Sequence, residues 1–124
     1  MKSIILGSLT IENVIETIGL HKPDFLFPEL KRNQFEEQFK WLIPDFVDMK
    51  SNNLIMVFQS YVIKTKNSNI LVDTCVGNDK CRNNRPFWHK QRTPYLNKLK
   101  ELGLNPLDID YVMCTHLHAD HVGW

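Results

Sequence analysis

Apolar and polar positions along the chain predict several strands and a helix. Residues 3–20, SIILGSLTIENVIETIGL, mix β-branched residues around a break at Gly7 and predict a strand or a bent pair of strands. Residues 21–34 contain Pro23 and Pro28 and are expected to be irregular. From Gln34 to Leu42, the apolar residues Phe35, Phe39 and Leu42 recur at helical spacing, and Pro44 stops any helix there. Leu54-Ile55-Met56-Val57-Phe58 and Tyr61-Val62-Ile63 predict one largely buried strand. Asn67-Ser68-Asn69 then turns the chain into a second strand, Ile70-Leu71-Val72, which ends at Asp73-Thr74. That is a hairpin signal.

Residues 75–92 show no periodicity and are rich in Asn, Arg and Lys. A structureless loop of that length inside a compact domain is unusual and often functional. Thr93-Pro94 carries two helix start signals, a hydroxyl for the N-cap and Pro for the first helical position. The helix is expected to place Leu96, Leu99 and Leu102 on one face and to close at Gly103. After a short turn from Pro106 to Asp110, Tyr111-Val112-Met113-Cys114 predicts a short apolar strand. The order is strand, strand, helix, strand, with the chemistry on the loop after the last strand.

The 124 residues suffice for one domain with a real core and are too few for two, so residues 1–124 are expected to form a single domain. Hydrophobic residues make up 43% and charged residues 23%, an ordinary globular balance. The net charge of +1 gives no electrostatic reason to expect nucleic acid or an anionic membrane as partner. Cys75, Cys81 and Cys114 are odd in number and lack Cys-x-x-Cys spacing, which argues against a disulfide framework or a thiolate zinc knuckle. Thiols in a reducing compartment, the cytoplasm, are the expectation. The apolar start Ile4-Ile5-Leu6 is interrupted too soon by Ser8, Thr10 and Glu12 for a signal peptide, and no apolar run is long enough to span a bilayer.

The strongest chemical signal is His116-x-His118-x-Asp120-His121. Imidazole and carboxylate are ligands that zinc accepts, as do iron, manganese and cobalt. In an extended segment, residues i and i+2 share a side, so His116 and His118 can grip one ion together. Asp120 and His121 then turn out of that plane towards a second. A loop at the carboxyl end of a strand is where α/β proteins place reactive groups. The bland alternative, a surface histidine tract, fits poorly with an acidic member and a preceding apolar strand. His21 and His89 each stand alone and are read as surface or hydrogen-bonded structure.

The run resembles the signature of the metallo-β-lactamase superfamily, His-x-His-x-Asp-His after a short strand. Ile70-Leu71-Val72-Asp73-Thr74 is similar to that family's strand ending in Asp-Thr-Gly, and Leu104 to Val112 is similar to its lead-in to the metal loop. Together these span residues 54–124. Gly77-Asn78-Asp79-Lys80, Pro86-Phe87-Trp88 and Val122-Gly123-Trp124 look closer to the branch of quorum-quenching lactonases and methyl-parathion-hydrolase-like enzymes. The resemblance implies an α/β fold, the N-terminal part of a four-layer αββα sandwich with a dinuclear site, two zinc ions or manganese, iron or cobalt in their place. It implies His116 and His118 on the first metal, Asp120 and His121 on the second, and Asp73 behind them as an orienting carboxylate. Cys75 stands where the family usually has glycine, a position a side chain would strain if φ were positive.

The implied activity is hydrolysis of a lactone, ester or related small-molecule bond by a metal-activated hydroxide, with Asp120 orienting the nucleophile and relaying a proton. Open catalytic sites need about three protein ligands per ion, so the resemblance also implies a C-terminal half with the remaining ligands, and little activity from this chain alone. The long loop, with Phe87 and Trp88 among Lys80, Arg82, Arg85, Lys90 and Arg92, is expected to line or lid the substrate pocket. The rival expectation is a non-catalytic metal-binding or interaction module from a split or decayed gene.

Overall fold

The computed structural model describes residues 3–29 and 40–124. It comprises two compact units, one of Met1–Thr17 with Phe58–Trp124 and the other of Ile18–Val57. The backbone of the protein is a five-stranded mixed sheet in the order β1-β2-β3-β4-β5. The strands are β1 (Ile4–Leu6), β2 (Leu9–His21), β3 (Leu54–Lys64), β4 (Asn69–Val72) and β5 (Tyr111–Met113).

Each connection follows from local chemistry. The bent pair expected over residues 3–20 is an antiparallel hairpin, with Leu6 opposite Leu9. Gly7 turns the chain at φ 61, a conformation that costs glycine little. β3 and β4 pair antiparallel from Tyr61↔Val72 to Lys64↔Asn69. Thr65 organises their turn, its Oγ1 accepting the amides of Asn67 at 3.1 Å and Ser68 at 2.9 Å. β4 and β5 run parallel, Ile70↔Tyr111 to Val72↔Met113, and the connection between them carries α1 (Tyr95–Glu101). A parallel pair needs such a long crossover. Asn69 and Asp110 lock the start of this pair, the Asn69 amide donating to Asp110 Oδ2 at 2.8 Å.

The helix begins one residue later than its start signals suggest. Thr93 does not cap it; its amide and hydroxyl both donate to Asn78 Oδ1, at 2.8 and 3.1 Å, and α1 starts after Pro94 with no side-chain cap. Its inward face is Tyr95, Leu99 and Leu102, while Leu96 lies at the margin, 41% exposed. Gly103 closes the helix at φ 77, as its position predicts.

The core of the first unit is Val14, Val62, Leu71, Cys75, Tyr95, Leu99 and Leu104, with Leu102 and Ile109 packed against it. Each large aliphatic side chain there stabilises the fold by about 1.5–3 kcal/mol relative to exposure. In the second unit, Val47 and Leu54 are buried against Leu42, Ile43 and Met56. The helix expected from Gln34 lies mostly outside the described residues; Lys40–Leu42 form one 3-10 turn. β5 is not buried. Tyr111, Val112 and Met113 are all exposed, as are Ile4, Ile5 and Leu6 of β1, so both edges of the sheet present apolar side chains. Among the described residues, no helix is long and apolar enough to cross a membrane.

Candidate metal centre

β4 and β5 end side by side, and the loops that follow them build the site. β4 delivers Asp73, whose amide donates to the carbonyl of Met113, the last residue of β5, at 2.7 Å. Asp73 takes φ 59, a left-handed conformation that Asp tolerates better than most residues. Its carboxylate reaches into the loop after β5. Oδ1 accepts the Thr115 amide at 2.8 Å, the Thr115 hydroxyl lies 2.9 Å from Oδ2, and His121 Nδ1 lies 2.9 Å from Oδ2. Burial alone would raise the Asp73 pKa, but the Thr115 amide, His121 and the Thr115 hydroxyl outweigh it and hold the carboxyl below its ordinary value. Asp73 is therefore an anion that accepts hydrogen bonds from the loop.

Those bonds orient the histidines. With Nδ1–H of His121 directed at Asp73, its Nε2 is left as the lone-pair nitrogen, 3.5 Å from Asp120 Oδ2. Thr115 Oγ1, donating to Asp73, can accept from His116 Nδ1 at 3.1 Å. That frees His116 Nε2, which faces His118 Nδ1 at 3.0 Å. The rings of His116 and His118 lie 4.5 Å apart and those of His116 and His121 3.9 Å apart. His116 and His118 are exposed, Asp120 and His121 half-buried.

Donor spacing tests whether metal ions fit. Two ligands at about 2.0–2.2 Å from one tetrahedral ion sit roughly 3.3 Å from each other. The separations are 3.0 Å for His116 with His118, a little short of that edge, and 3.5 Å for Asp120 with His121, close to it. The donor types are compatible with two half-shells. No group of three or more His, Cys, Asp and Glu side chains is arranged to hold an ion among the described residues.

The end of the chain is tied back to the β4 loop. His121 O accepts the Thr74 amide at 2.8 Å, the Gly123 amide donates to Cys75 O at 2.9 Å, and the Trp124 amide donates to Thr74 O at 3.0 Å. Gly77 and Gly123 meet backbone to backbone, and a Cβ on either would collide with the other segment. Cys75 takes φ 48 although it carries a side chain, the strained conformation its glycine-like place predicts. Its thiol is fully buried against Ser60 Oγ at 3.2 Å, and Ser60 accepts the Tyr95 hydroxyl at 2.7 Å.

Two residues escaped the sequence reading. Thr115, beside the run, joins Asp73 to His116. Glu16, on β2, is buried to 2% exposure and accepts the amides of Val76 at 2.8 Å and Gly77 at 3.0 Å and the Trp124 indole at 2.7 Å. No local signal marked Glu16, because its strand also carries Glu12, Asn13 and Thr17, and a carboxylate is buried only when paired.

The long loop is ordered rather than structureless. Asp79 N bonds Gln91 O at 2.9 Å and Lys90 N bonds Lys80 O at 2.8 Å, closing its stem, and His89 Nδ1 accepts the Arg82 amide at 3.1 Å. Pro86–Trp88 form a 3-10 turn. Trp88 is buried edge-on to Phe58 at 5.7 Å, while Phe87 remains 43% exposed. His21 belongs to the second unit, its ring 5.5 Å from Phe25.

Two solved structures have a matching fold. One is a hydrolase, AbOPH, in the beta lactamase superfamily, with 21% identity and a TM-score of 0.72 over 96% of this chain and 36% of that one. Another is AidC, a dizinc quorum-quenching lactonase in complex with a product, N-hexnoyl-L-homoserine, with 24% identity and a TM-score of 0.69 over 97% of this chain and 37% of that one. The chain thus spans little more than a third of either. No curated protein matches it. The model of the metallo-beta-lactamase superfamily matches residues 59–124, more than half of the chain and the whole of the loop-and-histidine site. The chain belongs to the metallo-beta-lactamase superfamily.

Proposed function

We propose that this chain supplies the metal-gripping half of a metal-dependent hydrolase acting on a small molecule, with a lactone or related ester as the favoured substrate. The observation that carries this reading is the pairing of His116 with His118 and of Asp120 with His121 near the donor spacings of two ions. Zinc is the favoured metal, with manganese, iron or cobalt as alternatives the same donors accept. His116 and His118 would hold one ion, and Asp120 and His121 the other. When bound, such ions supply Lewis-acid polarisation and a nucleophile at neutral pH.

The chain's own residues do the rest. Asp73 and Thr115 fix which ring nitrogens of His116 and His121 are free to bind. Asp120 orients the attacking group and takes up the proton that must reach the leaving group. Phe87 contacts the apolar part of the substrate, with Trp88 wedged behind it on Phe58. A cytoplasmic location fits the free thiols. Two donors per ion fall short of an open catalytic site, so the remaining ligands come from a second half, which also covers the apolar edges of the sheet.

The lactonase likeness of AidC motivates the test. The chain is mixed with candidate second halves from superfamily hydrolases, and lactone hydrolysis is followed with added zinc or manganese. Activity that appears only on mixing, and is lost with Asp120→Ala, supports the proposal. The absence of any three-donor group among the described residues favours a second reading, a non-catalytic metal-binding or interaction module. Tight two-metal binding by the chain alone, with no activity from any mixture, would establish that module instead.

A further inference from the structure

One cationic side chain bridges the two loops of the site without being a candidate ligand. Arg82 lies in the long loop, and its Nη2 donates to Val76 O at 3.1 Å and to Ala119 O at 3.0 Å. Ala119 is the residue between His118 and Asp120, so the peptide it forms with Asp120 joins one ligand pair to the other. The guanidinium grips that peptide by its carbonyl. On the other side, Val76 is itself anchored, its amide held by the buried Glu16 carboxylate at 2.8 Å. The tether runs from β2 through Glu16, Val76 and Arg82 to the middle of the histidine run.

Arg82 is well placed to act as a clamp. His89 accepts its backbone amide, and the Lys80–Lys90 and Asp79–Gln91 bonds close the loop around it. Its Nε is buried, so packing encloses the side chain while the Nη2 bonds hold it. A charged donor makes stronger bonds to carbonyl oxygen than a neutral one, and a planar guanidinium can serve two acceptors in fixed geometry, which an ammonium cannot. A carbonyl left without that donor would be free to rotate, and Asp120 would rotate with it.

We propose that Arg82 is a positioning residue for the metal loop, holding the Ala119–Asp120 peptide so that the two ligand pairs face their separate ions. The proposal rests on the reading of the histidine run as a metal site. Groups that orient metal ligands typically change metal affinity about 10–100-fold when removed.

The test uses the isotopically labelled 124-residue chain with Arg82→Gln, Arg82→Lys, Arg82→Met and, as a surface control, Lys100→Gln. Two quantities are read: the Ala119 carbonyl-carbon and Asp120 amide chemical shifts without metal, and zinc affinity by competition with a chelating dye. Arg82→Gln is expected to displace both signals and weaken zinc about 10–100-fold, with the melting temperature little changed. Arg82→Lys should recover part of both effects, and Lys100→Gln should match the parent chain. Parent-like signals and zinc affinity in Arg82→Gln overturn the proposal. Should Arg82→Gln fail to fold, Arg82→Met decides, since it keeps an apolar stem and removes the donors, and unmoved signals there overturn the proposal equally. Should the parent chain take up no zinc, the metal reading fails, while the two signals still settle whether Arg82 holds the peptide.

Discussion

At the scale of single residues, the candidate site is a set of oriented rings beside the groups that orient them. Asp73 and Thr115 decide which nitrogens of His116 and His121 are available. Thr115→Val keeps the shape and removes the hydroxyl, and it is expected to weaken zinc binding about 10-fold or more, read by dye competition; an unchanged isotherm would remove Thr115 from the account. Cys75 makes a second prediction. Burial pushes its thiol up to about 12, whereas Cys81 and Cys114 are exposed. A thiol reagent at pH about 8, near the ordinary cysteine value, should label only Cys81 and Cys114 in the folded chain and should reach Cys75 after denaturation. Because the folded value is raised, the stability Cys75 contributes is present below the unfolded thiol pKa and fades as pH rises from there towards 12. The four candidate ligands were legible because they are contiguous in sequence. Glu16 was not, because its partners Val76, Gly77 and Trp124 come from loops far along the chain.

At the scale of elements, the strands and turns were legible where local chemistry decides, as at Gly7, Asn67-Ser68 and Gly103, although the part Thr65 plays in the second turn was not read. The start of α1 was misplaced because a tertiary partner, Asn78, takes Thr93 away from capping. β5 looked buried from its side chains alone, but burial depends on what packs against an edge strand. The strap formed by residues 121–124 on the β4 loop is the element most sensitive to a single methyl group. Gly123→Ala meets Val76 and Gly77 backbone with no space for the added carbon. It should cost about 1–3 kcal/mol, the range for overpacking, and lower the melting temperature accordingly; an unshifted melt would show that the strap does not pack this way. Between β2 and β3, Glu12 and Lys64 pair at 2.7 Å, with side chains only 18% and 29% exposed. The Lys64 bond holds the Glu12 carboxyl below its ordinary value. The stabilisation is therefore present above the unfolded carboxyl pKa of about 4.3 and is lost as pH falls through the lower folded value. Glu12→Gln should destabilise at neutral pH by roughly 0.5–1 kcal/mol, and the gap should close in acid, as followed by thermal melts across pH.

At the scale of the whole molecule, the site occupies one end of the sheet while both sheet edges, β1 and β5, display apolar side chains to solvent. Exposed edges of this kind invite pairing with another chain. Concentration-dependent self-association is expected in sedimentation velocity, and a matching second half should suppress it; a monodisperse monomer at high concentration would argue against any need for cover. Fold class was legible through the resemblance carried by the histidine run and the strand ending at Asp73-Thr74, whereas what covers the edges is not encoded in any local pattern. The central claim is that His116, His118, Asp120 and His121 form two metal-holding pairs. It is tested most directly by calorimetric zinc titration of the chain and of its His116→Ala/His118→Ala/His121→Ala variant. Saturable uptake by the parent chain, abolished in a variant that keeps its fold, is the predicted result. Equal zinc uptake by both would contradict the account.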